Sequence, residues 1–225
     1  GGARSSVDLH VTAPDPSRRD ALARAREYTK RNDWAALAAL RRELPSPLEP
    51  DALRLADDVA FALGQLRRHR DAILLVEQAH ALEPTWRRAS SLAYLHYAAA
   101  MCPPRDVPKD ARPLARDEAR DGFHRWIEDA LGREPGSIKD LYRLGVWNAQ
   151  VESAKDKPAL RAFLAAIERY RALPDAERSR RGDLTRAYVR ALYAGARSAL
   201  RLRRTAPARP LAGRLVLGYL GSINS

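Results

Sequence analysis

Proline divides this sequence into short segments, and that division constrains the possible folds more than any other feature. Prolines stand singly or in groups at 45–50, 84, 103–113, 135 and 174. Because proline removes a backbone hydrogen bond and clashes with the preceding turn, no regular helix is expected to continue through these positions. The stretches between them repeat apolar residues every three or four positions, which is the period of a helix with one buried face. Helices of about a dozen residues are unstable alone, so each must bury its apolar stripe against neighbours.

The composition agrees with an all-helical chain. Alanine, leucine and arginine, which are strong helix formers, are abundant, whereas the β-branched residues typical of strands are scarce. Signals such as Asn32-Asp33, Pro50-Asp51 and a capping Asp71 set the helix boundaries. The prediction is an all-α fold of about nine to eleven helices. The predicted helices span 18–31, 34–44, 50–68, 71–82, 85–101, 114–132, 137–152, 157–172, 183–204 and 208–220.

Three regions are expected along the chain. Residues 1–17 lack an apolar period and are predicted to form an extended or disordered lead-in. Residues 18–174 are predicted to form a helical array, interrupted by a proline-rich inserted loop at 102–113. Residues 175–225 are predicted to form a basic C-terminal hairpin, whose last segment, 208–220, is apolar enough to cap the open end of the array.

A fixed spacing recurs in three of the predicted hairpins. A small or apolar residue is followed four positions later by another, and twelve positions later by a proline that ends the hairpin. The three sets are Ala72, Val76, Ala79 and Pro84; Phe123, Ile127, Ala130 and Pro135; and Ala162, Ala166 and Pro174. The first helix of such a unit is best seen at Leu141, Leu144 and Gly145, and the first hairpin carries Ala25, Tyr28 and Trp34. Pro50 and Pro84 are 34 residues apart.

This pattern resembles the tetratricopeptide repeat (TPR), a helix–turn–helix unit of 34 residues with characteristic small, aromatic and proline positions. The resemblance covers roughly residues 18–174, or about four units, two of them with insertions of about 17 and 5 residues. Arg169 stands where the family has a small residue, and Leu55 and Ala56 supply no aromatic. The resemblance implies a right-handed α-solenoid of antiparallel helix hairpins.

The same resemblance implies a peptide-binding groove. In that family the first helices of successive hairpins line a concave surface that takes an extended peptide. The positions carried over are Arg54, Asp57, Phe61, Arg88, Ser91, Leu95, Lys139, Tyr142, Arg143 and Val146. Arg88, Lys139 and Arg143 are expected to receive carboxylates of the partner, and Phe61 and Tyr142 to supply apolar contact. The family's lysine and asparagine clamp for a terminal carboxylate is not found intact.

Positive charge is concentrated at one end of the chain. The formal net charge is +12, and residues 178–225 contain eleven arginines against one acidic residue, Asp183. On the predicted helix at 183–204, five arginines fall within an arc of about 60°. They are Arg186, Arg190, Arg197, Arg201 and Arg204. The opposite face, including Ala191 and Gly195, is expected to pack closely. Concentrated like charge repels itself unless an anion relieves it, so the patch is predicted to contact an acidic partner. A merely solvated helix face is the alternative.

Residues able to carry catalysis or bind a metal form no known motif. The nucleophile-elbow, zinc-protease, P-loop and dinucleotide-binding patterns do not occur. No two of the five histidines lie four positions apart, and His96, beside two tyrosines, is expected to be packed or at a rim. Cys102 is the only cysteine and is expected to be a bystander thiol. We therefore expect no enzyme, cofactor or metal, and no stretch approaches the roughly 20 apolar residues of a transmembrane segment.

These observations favour a non-catalytic scaffold or adaptor that binds a peptide or acidic protein partner through the groove and the basic C-terminal helix. One alternative is a nucleic-acid-binding module using helix 183–204, because a duplex binder needs only phosphate contacts. Another is the interaction or regulatory region of a larger enzyme. The alanine and arginine content is typical of a GC-rich bacterial source. A cytoplasmic location is slightly favoured, and a periplasmic one stays open.

Overall fold

The computed structural model describes residues 16–152 and 155–205, and within these ranges the chain is helical without any β-strand. The predicted all-α class is therefore confirmed. The α-helices are α1 (Pro16–Arg31), α2 (Trp34–Ala39), α3 (Leu53–Gln65), α4 (His69–Leu82), α5 (Trp86–Met101), α6 (Arg116–Arg133), α7 (Ile138–Gln150), α8 (Asp156–Arg171), α9 (Asp175–Arg180) and α10 (Gly182–Thr205). Short 3-10 helices span Leu40–Glu43, Pro50–Ala52 and Pro104–Asp106. The predicted lead-in up to residue 15 and the predicted helix 208–220 lie outside the described residues.

Capping side chains and prolines set the helix boundaries much as the sequence indicated. Asn32 adopts a left-handed backbone conformation with φ of 55°, which ends α1. Asp33 then caps α2, its side chain accepting a hydrogen bond from the Ala36 amide at 3.0 Å. The hairpin-ending prolines follow within three residues of the ends of α4, α6 and α8. They are Pro84, Pro135 and Pro174.

Two helix boundaries and one additional helix show where the structure departs from the sequence prediction. The helix expected over 34–44 tightens into a 3-10 turn at Leu40. Asp71 does not cap α4 but lies in its first turn, because the helix begins at His69. Helix α9 was not predicted, since its six residues are mostly charged and none is buried, which leaves no apolar period to detect.

The loop after α5 is held by arginines in the turn between α3 and α4. Arg68 forms an ion pair with Asp110 at 2.5 Å. Arg67 donates a hydrogen bond to the Cys102 sulfur at 3.4 Å. Cys102 is half-buried and free, as expected for a bystander thiol.

The helices pack into two hydrophobic clusters. The first contains buried residues of α1 to α6 together with Trp147, and the second contains those of α7, α8 and α10. Helix α10 packs on both α7 and α8, so the basic C-terminal helix shares a core with the predicted array. All the small and apolar residues of the recurring spacing are buried. They are Ala72, Val76, Ala79, Phe123, Ile127, Ala130, Ala162 and Ala166.

A fully buried carboxylate links helices from the two clusters. Asp140 on α7 has no exposed surface. Its carboxylate accepts hydrogen bonds from two side chains of α5, namely Trp86 Nε1 at 3.0 Å and Ser90 Oγ at 2.7 Å. It also accepts hydrogen bonds from Ser137 Oγ, at the N-cap of α7, at 2.6 Å and from Arg143 Nη1, within α7, at 2.7 Å. The four donors satisfy both oxygens, which is the condition for a stable buried charge.

Replacing this carboxylate is expected to be costly. Asp140→Asn places an amide NH₂ among hydrogen-bond donors and leaves Arg143 without its carboxylate. We expect the free energy of unfolding to fall by about 3 kcal/mol. Urea denaturation followed by circular dichroism measures this change. Glu128→Gln, at an exposed position of α6, is the matched control and should change stability by no more than about 0.5 kcal/mol. Equal stability of the two variants would contradict this role for Asp140.

Gly145, one of the residues that carry the repeat resemblance, allows α7 and α8 to approach closely. A Cβ atom added there would overlap the ring of Phe163. We therefore expect Gly145→Ala to lower the free energy of unfolding by about 1–3 kcal/mol. Gly132→Ala is the control, because a Cβ at that helical position meets nothing within 4 Å. This second variant should be neutral or more stable by up to about 1 kcal/mol. A Gly145→Ala protein as stable as the parent in urea would rule out the close approach.

His96 is buried between α5 and α6, as expected for a packed histidine. The residue is only 5 % exposed, and neither ring nitrogen has a hydrogen-bond partner among the described residues. The ring rests against Gly122, where an added Cβ would overlap it. Burial lowers the pKa of His96 to about 4; Glu118 opposes this shift and Arg125 adds to it. The imidazole is therefore neutral at pH 7.

This burial makes the stability depend on pH. The pKa of His96 is about 6.5 when unfolded and about 4 when folded, so between these values the unfolded chain binds more protons. The contribution of the neutral imidazole is fully present above pH 6.5 and is lost as the pH falls towards 4, by about 3 kcal/mol in total. His96→Leu removes this group and should flatten that part of the stability profile. Urea unfolding of both proteins across this pH range measures the difference, and parallel profiles would contradict the assignment.

Candidate partner-binding clefts

One cleft, here called the first cleft, lies between α3 and α5 and contains six of the ten predicted groove residues. Its volume is about 330 Å³. The predicted residues that line it are Arg54, Asp57, Phe61, Arg88, Ser91 and Leu95, joined by others that include Asp58, Arg87 and Tyr94. Phe61 is 51 % exposed, and its ring packs edge-on against Trp34 with centroids 5.4 Å apart. The first cleft therefore offers an exposed aromatic surface bordered by charges of both signs.

Arg88 has a structural role in this cleft. Its guanidinium is buried and donates to Asp57 Oδ2 at 3.0 Å. It also donates to Glu83, both to the carboxylate at 2.9 Å and to the backbone carbonyl at 2.7 Å. These bonds, led by the one to Asp57, raise the pKa of Arg88. Arg88 is thus already paired with two carboxylates of its own chain, and its predicted contact with a partner's carboxylate stays a prediction.

Lys139 and Arg143 also engage carboxylates of the same chain. Lys139 Nζ lies 2.6 Å from Asp183, and this lysine holds the pKa of that carboxyl well below its usual range with help from Arg181. Arg143 is bound by Asp140, and its guanidinium stacks 5.0 Å above the Tyr94 ring. Neither residue lines the first cleft or the second one described next. Both serve to fix the helices around the clefts.

A second cleft, bounded by α7, α8 and α10, unites two sites that the sequence had presented as separate. Its volume is about 640 Å³. It contains Tyr142 and Val146 of the predicted groove. It also contains three members of the predicted arginine patch, namely Arg190, Arg197 and Arg201. The remaining lining residues are Ala149, Gln150, Phe163, Val189, Tyr193 and Ala194.

The second cleft has an apolar floor and a partly exposed apolar rim. Val146 and Phe163 are buried at its base, and Tyr142 packs beside Phe163 with ring centroids 6.1 Å apart. Burial raises the pKa of Tyr142, with Arg190 opposing the shift, so its hydroxyl stays protonated at neutral pH. Val189 and Tyr193 are 47 % and 52 % exposed at the rim. Such contiguous exposed apolar surface is characteristic of binding sites.

The charge available in the second cleft is positive. Within the described part of the chain, no carboxylate forms an ion pair with Arg190 or Arg197. The Arg197 guanidinium instead lies 5.8 Å from the centre of the Tyr193 ring. Arg201, one turn further along α10, is bound by Asp156 at 2.7 Å. Two arginines therefore face the cleft without a carboxylate of their own.

The other predicted patch residues lie apart from the cleft. Arg186 is exposed but lines neither cleft, and the Arg204 side chain lies outside the described residues. On the opposite face of α10, Ala191 and Gly195 are buried, which confirms the expected packing face. Tyr193 was not predicted as a site residue. Its position three residues after Arg190 and four before Arg197 places it on the same helix face, so helical spacing alone contained that signal.

The two clefts are connected through the contact between α5 and α7. Tyr94, which lines the first cleft, lies beneath the guanidinium of Arg143. Arg143 directly follows Tyr142, which lines the second cleft. Tyr97, one turn after Tyr94, packs against both hydrophobic clusters. Eight of the ten predicted groove residues are thereby brought into two neighbouring depressions.

The described residues contain neither a candidate membrane-spanning helix nor a candidate metal site. In this part of the chain, no helix is long and apolar enough to cross a bilayer. No three histidine, cysteine or acidic side chains among these residues come together in a way that could hold a metal ion. No protein-family model, curated protein or solved structure matches this chain.

Proposed function

We propose that this protein is a non-catalytic scaffold that binds an acidic segment of a protein partner across the two clefts. The observation that carries the proposal is the composition of the second cleft, where predicted groove residues and predicted patch arginines lie together. An apolar floor beside two arginines that have no carboxylate partner in the described part of the chain complements a segment that carries both apolar and acidic side chains.

The proposed architecture is a TPR-like right-handed α-solenoid of antiparallel hairpins. Three features support it: the pairwise packing of α3 with α4, α5 with α6 and α7 with α8, the burial of the recurring small residues, and the hairpin-ending prolines. In such an array the first helix of each hairpin lines one face, which agrees with the residues of α3, α5 and α7 that line the clefts.

A protein partner fits the second cleft better than a nucleic acid does. Phosphate contacts depend on exposed cations and need no apolar floor. Here the cations border Val146, Phe163 and Val189, which an aliphatic or aromatic side chain would cover. We therefore place the nucleic-acid interpretation second.

Selection from a displayed random-peptide library against the full chain tests this proposal. We expect enriched peptides to be rich in Asp and Glu. The double variant Arg190→Glu with Arg197→Glu should weaken their binding by about tenfold or more in fluorescence anisotropy, because it turns attraction into repulsion. The double variant Arg180→Glu with Arg186→Glu is the matched control, since it makes the same charge change at exposed positions outside the clefts, and should stay within about twofold of the parent.

Two results would overturn the proposal. One is a library selection that enriches no peptide sensitive to the double charge reversal. The other is salt-dependent binding of labelled single-stranded RNA that the same charge reversal abolishes while peptides fail to compete, which would favour the nucleic-acid interpretation.

A further inference from the structure

The positive charges of the second cleft stand on one wall, while its apolar residues form the floor. From this arrangement we propose that the cleft selects a segment in which an apolar side chain lies between two carboxylates spaced three residues apart. The inference rests on the proposed function and extends it by naming the sequence pattern that the cleft reads.

The spacing of the carboxylates follows from the spacing of the arginines. Arg190 and Arg197 are seven residues apart on α10, which corresponds to about 10.5 Å along the helix axis. An extended segment in the polyproline II conformation rises about 3.1 Å per residue and has three residues per turn. Two side chains at positions i and i+3 of such a segment therefore point the same way and lie about 9 Å apart. Carboxylates at this spacing can meet both arginines at once.

The position of the apolar side chain in the segment follows from the angle between α10, which carries the arginines, and the floor of the cleft. When the side chains at i and i+3 face α10, those at i+1 and i+2 point to either side of that direction, because three residues complete a turn. One of these two positions then faces the floor formed by Val146 and Phe163. Tyr142 and Tyr193 stand at the sides of this space. A leucine or phenylalanine side chain there would also cover Val189 and Tyr193, which are 47 % and 52 % exposed beside the floor.

The cleft contains an internal example of carboxylate binding. Arg201 also lines it and is bound by Asp156 with Nη2 and Oδ1 2.7 Å apart. Arg201 and Arg197 are one turn apart on the same face of α10. A partner's carboxylate at Arg197 would repeat, one turn earlier, a pairing that the chain already makes within the same cleft.

Three synthetic nine-residue peptides labelled with fluorescein test the pattern against the full chain by anisotropy. The first carries two glutamates three residues apart with a leucine between them and serine elsewhere. The second replaces the leucine with serine, and the third keeps the composition but places the glutamates next to each other. We expect the first peptide to bind about tenfold more tightly than the second, because the leucine is buried. It should bind at least about threefold more tightly than the third, because adjacent glutamates cannot reach both arginines.

Surface variants locate the binding. The double variant Val189→Ser with Tyr193→Ser removes the apolar rim at positions about half exposed, so the fold should tolerate it. It should reduce binding of the first peptide by fivefold or more while changing that of the second by less than about twofold. Leu82→Ser, at an equally exposed apolar position of α4 that lines neither cleft, is the matched control and should leave both affinities unchanged.

The outcomes separate this inference from the proposed function. If the leucine and serine peptides bind equally, or if Leu82→Ser and not the rim variant weakens binding, the pattern assigned to the second cleft is wrong. The scaffold proposal still stands in that case, provided that library-selected peptides remain sensitive to charge reversal at Arg190 and Arg197. If neither the three peptides nor the library yields such binding, both proposals are wrong.

Discussion

The buried carboxylate of Asp140 is the interaction on which the arrangement of the two clefts depends. A charged group with no exposed surface is tolerated only where donors surround it, and here the donors come from α5 and α7. The contact between these helices therefore has one satisfied geometry and not a range of apolar packings. The same carboxylate holds Arg143, which stacks on Tyr94 in the first cleft. Helix α7 then presents Tyr142 to the second cleft at a position that this contact fixes.

The basic character of the chain divides into two parts with different roles. Arg88 and Lys139 neutralise carboxylates that stand far away in sequence, namely Asp57 and Asp183. Buried or half-buried pairs of this kind contribute to specificity, because losing one partner leaves the other charge uncompensated. Arg190 and Arg197, in contrast, have no ion pair with a carboxylate among the described residues. The net charge alone does not show which cations are already paired, whereas the structure places two arginines that lack such a pair among the described residues beside the apolar surface of the second cleft.

Local features of the sequence predicted most of the helices, but contacts between residues distant in sequence could not be predicted from it. Asp33 as a cap, the hairpin-ending prolines and the buried face of α10 could be read because each depends on residues a few positions apart. Helix α9 has no buried residue and therefore no apolar period to reveal it. The pairing of Arg88 with Asp57 joins residues 31 positions apart, and no spacing rule identifies it. For the same reason, the sequence placed six residues correctly in one cleft but could not show that Tyr142 and Arg190 share another.

The rim of the second cleft is poorly explained by folding alone. Val189 and Tyr193 are each about half exposed on α10, so they contribute little to stability, and polar residues of good helix propensity would serve the fold as well there. Arginines on the same face repel each other, and a glutamate at position 190 would reduce that repulsion. It would also support the helix through an ion pair with Arg186, one turn away. A chain selected only for stability would favour such a change. One face of α10 thus combines exposed apolar side chains with arginines that have no ion pair among the described residues. The proposed partner accounts for both, because it would cover the apolar side chains and neutralise the arginines.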